Sequence, residues 1–394
     1  MTGTGNHLGP SQGQHTRIRN SNIGFLVYPA SDMKIASIVG ARPQFIKLAP
    51  FSREIRKKHR EVLIDTGQHY DAEMAGDFFS EFKIPRPDHA LGIGSADHGE
   101  QTGKMLIELE KVLKSEQPAL AVVFGDTNST LAGALAASKL NIPVAHVEAG
   151  LRSYDHRMPE EQNRVLTDHI SKLLLCPTNV AKENLKREGI TEGVHVVGDV
   201  MVDALEESRK AAEKHSNILE KFGLTKGNYQ FMTVHRPANT DVRENLENIV
   251  KAAGRSGVRT VFSVHPRTAK CMHEYGLDTR IPENFTITKP LSHMDTIWLV
   301  SNASLVLTDS GGLQKEAYLL SVPCITLRDT TEWIETVNAG WNVLVGSDPR
   351  KIHDTIVHLN PPKHRPMIFG PPGASARIAD IIDKFLSRSE VVSG

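Results

Sequence analysis

The stretch Lys34-Ile-Ala-Ser-Ile-Val-Gly-Ala-Arg-Pro-Gln-Phe-Ile-Lys47 begins as an apolar, β-branched run, breaks at Gly40, and continues through Pro43 with two cations, Arg42 and Lys47, beyond the break. The run reads as a strand, and Pro43 sits where a first helical turn tolerates it, because the N–H it lacks would have no partner there. A strand that enters a helix through a glycine turn is the first half of a βαβ unit and implies a parallel sheet. The same turn is expected to direct free backbone N–H groups and both cations at one place, a setting for an anionic ligand.

Outward from this stretch, short β-branched runs alternate with helical periodicity. Residues 61–65, 119–124, 143–147, 173–176 and 195–197 read as further strands of one sheet. After a helix over 202–216 the rhythm restarts, with strands at 229–234, 260–264, 285–288, 305–308, 324–327 and 341–344. The expected fold class is α/β, two Rossmann-like lobes of parallel sheet, and 394 residues suffice for two such cores. The expected division is 33–200 for the first lobe, 201–364 for the second, and 365–394 for a terminal helix that crosses back to the first. Residues 1–32, rich in Gly, Ser, Asn and Gln, read as a disordered leader or extension.

The 46 basic residues balance the 46 acidic ones, so no global field favours nucleic acid or an anionic membrane surface, and any basic site is local. No apolar run approaches the roughly 20 residues that a membrane-crossing helix needs. Cys176, Cys271 and Cys324 are scattered without a CxxC pair, which fits a reducing, cytoplasmic location. The eighteen histidines include no H-E-x-x-H spacing, so no metal is expected. No G-x-G-x-x-G follows the first strand, and Gly99-Glu-Gln-Thr-Gly-Lys104 is one residue short of a P-loop; no cofactor is expected.

Polar residues recur where strands end, the edge at which open α/β sheets bind ligands. Asp126 closes one apolar run ahead of Thr127-Asn-Ser-Thr130, where a helix-capping role competes with a functional one. Glu148 closes the next, before Ala149-Gly150, where capping is a poor explanation. Glu160 and Glu161 open a helix after Pro159, as first-turn acids commonly do. Carboxylates crowded at neighbouring strand ends acquire separated proton affinities, which suits acid/base work on a weakly acidic carbon. In the second half, His235-Arg236 and His265-Pro-Arg267 each follow a strand. Leu305-Val-Leu-Thr-Asp-Ser-Gly-Gly-Leu-Gln-Lys-Glu316 runs from strand through Ser310-Gly311-Gly312 into a helix, so a diphosphate can approach backbone N–H groups, with Glu316 a turn further on to hold a ribose diol.

Together, Gly40-Ala-Arg-Pro-Gln-Phe-Ile-Lys47, Thr66-Gly-Gln-His-Tyr-Asp71, Gly125-Asp-Thr-Asn-Ser-Thr130, His146-Val-Glu-Ala-Gly-Leu-Arg152, Arg157-Met-Pro-Glu-Glu161, Val234-His-Arg236, Asp309-Ser-Gly-Gly312 and Arg328-Asp-Thr-Thr-Glu332 resemble the non-hydrolysing UDP-N-acetylglucosamine 2-epimerases, over nearly all of residues 33–386. The resemblance implies a glycosyltransferase-B-like fold, a homodimer, and an active site in the interlobe cleft. UDP is then expected on His235, Arg236, Ser310, Gly311, Gly312, Glu316 and Arg328, with Arg42 and Lys47 facing the diphosphate from the first lobe. Asp126, Glu148 and Glu160, with His235 and Lys47, become the catalytic set. The implied reaction interconverts UDP-GlcNAc and UDP-ManNAc through elimination of UDP to a 2-acetamidoglucal and re-addition, supplying sugars for cell-surface polysaccharide.

The chain departs from the family pattern in places. His235-Arg-Pro-Ala-Asn239 lacks the glutamate of a common His-Arg-x-Glu-Asn, and Gly370-Pro-Pro-Gly-Ala-Ser375 replaces a Gly-Asp-Gly lead into the last helix. Gln44, where Glu is common, and Thr331-Glu-Trp-Ile-Glu-Thr336 resemble the branch acting on UDP-2,3-diacetamido-2,3-dideoxyglucuronate. The Gln68-His69 and Gln101-Thr102 regions are where the activating second UDP-GlcNAc of some bacterial members is expected. Rival readings are a hydrolysing epimerase, a glycosyltransferase of the same fold and a non-catalytic UDP-sugar sensor, separable by the products formed from UDP-GlcNAc alone.

Overall fold

Each rhythmic half of the chain builds one wholly parallel sheet. The structure, a computed structural model, describes residues 32–68 and 84–392, with side chains to residue 387. The expected leader therefore lies, Asp32 apart, outside the described residues, as do His69, Tyr70 and Asp71. The first lobe contains β1 (Lys34–Val39), β2 (Arg60–Asp65), β3 (His89–Ala90), β4 (Leu120–Phe124), β5 (Val144–Val147), β6 (Leu173–Cys176) and β7 (Val194–Val196), in the order β3-β2-β1-β4-β5-β6-β7. The second contains β8 (Gln230–Thr233), β9 (Thr260–Ser263), β10 (Phe285–Thr288), β11 (Leu305–Thr308), β12 (Cys324–Thr326) and β13 (Asn342–Leu344), in the order β10-β9-β8-β11-β12-β13. The unforeseen strand is β3, whose two residues are too few to show a period.

Helices cover these sheets. Among the described residues they are α1 (Arg42–Ile55), α2 (His98–Glu116), α3 (Asn128–Lys139), α4 (Pro159–Ile170), α5 (Asn179–Arg187), α6 (Val200–His215), α7 (Ile218–Lys221), α8 (Pro237–Thr240), α9 (Arg243–Arg255), α10 (Pro266–Glu274), α11 (His293–Asn302), α12 (Gly311–Leu319), α13 (Ile334–Asn338), α14 (Pro349–His358) and α15 (Ala374–Val392). Strand β4 is buried at every position, as a central parallel strand with helices on both faces must be. Ile378, Ile382 and Leu386 recur at helical spacing on α15 and pack with Leu48, Phe51 and Ile55 of α1, so the last helix completes the core of the first lobe.

The two places where the chain passes between lobes are joined to each other. Asp199 N donates to Phe369 O at 2.9 Å, and Arg377 Nε donates to Val197 O at 2.8 Å. Asp203 on α6 accepts from Gly373 N at 2.6 Å and Ser375 N at 2.8 Å, which caps α15 from a different helix. The Gly370–Ser375 lead-in thus needs no acid of its own. Two facing Rossmann-like lobes with a returning terminal helix make up the glycosyltransferase-B-like architecture.

Candidate active site

In both sheets the strand order reverses at one point, between β1 and β4 and between β8 and β11. Crevices at such switch points receive ligands in open α/β sheets, and here the two crevices face each other. They enclose one cleft of about 500 Å³, lined by Arg42, Lys47, Asp126, Glu148, Glu160, His235, Arg236, Ser310, Gly311, Gly312 and Glu316. Of the residues expected at the site, Arg328 stands outside this lining. It pairs with Glu332 at 3.1 Å, and Glu332 in turn lines the cleft.

The turn after β1 differs from its expected form. Gly40 N and Ala41 N are not open to a ligand, because the buried Gln44 Oε1 accepts from them at 2.9 and 3.0 Å. Gln44 Nε2 donates to Phe124 O at 2.8 Å and to Thr130 Oγ1 at 3.0 Å, so the whole amide ties β1 to the end of β4. Gly40 is required by close approach: a Cβ there would overlap the hydroxyls of Thr66 and Ser129. What the first lobe offers an anion is therefore side-chain charge, from exposed Arg42 and from Lys47.

Glu148 is the most constrained residue of the cleft. Its φ of +74° is uncommon for a residue with a Cβ and marks local backbone strain, held by the surrounding structure. The turned backbone places its carboxylate against two ammonium groups, Lys47 of α1 on Oε2 and Lys315 of α12 on Oε1 at 2.7 Å. Burial alone would push this carboxyl up, but Lys315 and Lys47 outweigh it and hold it at about 2. Lys315 also reaches Asp199 Oδ2 at 2.7 Å. Burial pulls its ammonium down, while Asp199 and Glu148 more than compensate, so it stays charged.

Asp126 is not the cap of α3. Thr127 fills that role, its side chain accepting from Thr130 N, and Asp126 instead pairs with Arg164 Nη2 at 2.5 Å. Glu160 and Glu161, indistinguishable in sequence, separate here. Glu161 is buried, accepts from Ser153 N at 2.9 Å and Tyr154 N at 2.8 Å, and pairs with Arg164, while exposed Glu160 lines the cleft. Arg164 thus fixes Asp126 and the loop before α4 at once.

In the second lobe the organiser is Asp309. Fully buried at the end of β11, it accepts from His235 N at 3.0 Å, Arg236 N at 2.9 Å and Asn239 Nδ2 at 3.0 Å, which shapes the loop after β8. Burial lowers the proton affinity of His235, with Asp309 pulling the other way. His265, which also follows a strand, both caps α10 by accepting from Arg267 N and lines the cleft. Ser310 caps α12, whose first N–H groups at Gly311 and Gly312 have no acceptor within the helix. Glu332 lies so close to Gly311 that a Cβ there would overlap its carboxylate. Glu316, in the cleft wall, is pushed up by burial to about 7 against the pull of Lys315 and Arg42.

The model of the UDP-N-acetylglucosamine 2-epimerase family matches residues 53–383 of this chain, a range that includes the cleft residues from Asp126 to Glu316. The chain belongs to that family. A UDP-N-acetylglucosamine 2-epimerase homolog from Methanococcus maripaludis is 53% identical over 354 residues, 89% of this chain and 99% of its own. UDP-2,3-diacetamido-2,3-dideoxy-D-glucuronate 2-epimerase of Pseudomonas aeruginosa is 45% identical over 323 residues, 80% of this chain and 89% of its own. The crystal structure of Methanocaldococcus jannaschii UDP-GlcNAc 2-epimerase in complex with UDP-GlcNAc and UDP matches with a TM-score of 0.82 at 47% identity, covering 89% of this chain and 100% of that one.

Within this epimerase fold, two sequence signals acquire a structural meaning. Gln68 Oε1 accepts from Ser129 N at 2.9 Å, and Gln101 Nε2 donates to Gly94 O at 2.7 Å, so both amides are engaged internally beside α3. Gln44 is bonded to backbone and to Thr130 and does not line the cleft. Gln44→Glu would replace a donor with an acceptor facing Phe124 O, and is expected to destabilise the protein by about 1–3 kcal/mol without altering the choice of sugar. A lower denaturant midpoint with unchanged substrate preference is the outcome to look for. A switch of preference would show that the residue selects the sugar.

Proposed function

We propose that this member of the family is a non-hydrolysing 2-epimerase that interconverts UDP-GlcNAc and UDP-ManNAc, using the cleft residues expected from the sequence. The observation that carries the reading is Glu148, buried and ionised between a cation of each lobe, lining the same cleft as the helix end that suits a diphosphate. In the forward step a carboxylate takes the C2 proton, the C–H pair becomes the C1=C2 bond, and the C1–O bond breaks with its electrons leaving on UDP. In the return step a carboxyl delivers a proton to the other face of C2, and a diphosphate oxygen re-forms the bond to C1.

A C2 proton is weakly acidic, so departure of UDP must be assisted by charge fixed in advance. Arg42, Lys47 and the Gly311–Gly312 N–H groups serve the diphosphate, with His235 and Arg236 across the cleft. Lys47 has a second effect. A diphosphate competes for its ammonium, leaving Glu148 with Lys315 alone and raising its proton affinity while substrate is bound. Glu148 then works from the ionised side, and Asp126 and Glu160 serve the proton on the opposite face. Lobe closure keeps water from the glycal.

The test is incubation with UDP-GlcNAc alone in deuterated water, followed by NMR. UDP-ManNAc with deuterium at C2 is expected; UDP with free N-acetylmannosamine would overturn the non-hydrolysing reading. The 45% identity to the Pseudomonas enzyme gives a second reading its specific ground, turnover of the diacetamido-uronate nucleotide. Running that nucleotide in parallel decides between the two.

A further inference from the structure

Helix α12 connects two parts of the cleft that belong to different lobes. Its first residues, Gly311 and Gly312, form the anion-facing end, while Lys315, one turn on, leaves the second lobe altogether. The Nζ of Lys315 lies 2.7 Å from Glu148 Oε1 and 2.7 Å from Asp199 Oδ2, both on first-lobe elements, and its side chain is 3% exposed. Asp199 is itself fixed at the crossing between lobes, where it caps α6 by accepting from Met201 N at 2.8 Å. Beneath Lys315, the Trp333 ring centroid is 4.4 Å from the ammonium, and Trp333 Nε1 donates to Gly311 O at 2.9 Å. The lysine is thus held by two carboxylates of one lobe and by a ring hydrogen-bonded to the anion-binding turn of the other.

We propose that Lys315 is a positioning residue that transmits occupancy of the diphosphate subsite on the second lobe to Glu148 on the first. The proposal rests on the epimerase reading above. A diphosphate drawn onto Gly311 and Gly312 seats the first turn of α12, and a helix is stiff over so short a span. Trp333, bonded to Gly311 O, moves with that turn. Lys315 carries the change across the lobe boundary, and Glu148, with its left-handed backbone, has few other placements to adopt. Lys47, on the same lobe as Glu148, meets the diphosphate directly and does not carry a movement of α12 across the boundary.

Hydrogen–deuterium exchange with UDP as the probe reads this without requiring turnover. In the parent, UDP is expected to slow exchange at residues 310–316 and also at 147–152. In Lys315→Met/Asp199→Asn, protection of 310–316 is expected to persist and that of 147–152 to vanish; the second replacement removes the acid that Lys315→Met alone would strand, and Asn can still cap α6. With substrate, kcat of this variant is expected to fall by about thirtyfold or more while KM moves less than about threefold. Lys315→Arg, which keeps the charge, should restore protection at 147–152.

Unaltered protection of 147–152 in the double variant overturns the proposal. So does a parent in which UDP protects 310–316 but leaves 147–152 untouched, a result that stands whether or not the variant folds. A parent in which UDP protects neither segment overturns the functional reading itself, and the coupling with it.

Discussion

Glu148→Gln is expected to lower C2-proton exchange and turnover by about 10³-fold while UDP affinity stays within about threefold. The amide keeps the shape of the carboxylate and removes both its charge and its capacity for a proton. Glu148 bonds to Lys47 and Lys315, not to the second-lobe residues expected on the nucleotide. Lys315 keeps Asp199 as a partner and Lys47 has access to the cleft, so the cost in stability is expected at the low end of the roughly 3–5 kcal/mol for breaking a buried pair. The Glu148 carboxyl is held at about 2, against an ordinary value of 4.5. Because the folded state depresses this proton affinity, the stabilisation it gives is complete above the ordinary value and declines as pH falls through about 2. The stability lead of the parent over Glu148→Gln should therefore be level at neutral pH and shrink on acidification. Exchange measured in deuterated water, with calorimetric UDP titration, checks the main claim; a variant that exchanges at the parental rate would remove Glu148 from the proton path.

Asp309→Ala is expected to be the most damaging change in the second lobe. Its carboxylate is fully buried and is the shared acceptor for His235 N, Arg236 N and Asn239 Nδ2. Alanine leaves these donors without that acceptor, and each buried donor left unpaired costs about 1–3 kcal/mol, so a loss of about 3–5 kcal/mol is expected after partial relaxation. The loop that presents His235 and Arg236 to the cleft then loses its shape, and UDP affinity is expected to fall by about 10- to 100-fold. Denaturant unfolding and calorimetric titration read the two effects separately. Retained UDP affinity in a destabilised protein would show that Asp309 serves the fold alone.

Much of the cleft was legible because both sheets are parallel. In a parallel sheet every strand ends on the same edge, so Asp126, Glu148, His235 and Ser310, each following an apolar run, necessarily gather on one side of their lobe. Glu160 and Glu161 show the limit of that reading. They sit in the same first turn, and only the position of Arg164 and of the Ser153–Tyr154 backbone makes one structural and leaves the other at the cleft. Gln44 shows a second limit: the turn that looked ready for phosphate has its N–H groups satisfied from within, by a side chain one helical turn away.

The periodicity of local stretches was enough to determine two parallel α/β lobes and their strands other than β3, and the family followed from the resemblance carried by the motifs at the strand ends. Tertiary structure alone decided which charges meet. Lys315 lies 167 residues from Glu148 and on the other lobe, and nothing in the run Gln314-Lys315-Glu316 says where that ammonium points. Its pairing with Glu148 follows from the juxtaposition of lobes, because an ion pair depends steeply on separation and dielectric, and both are set by how the chain closes on itself.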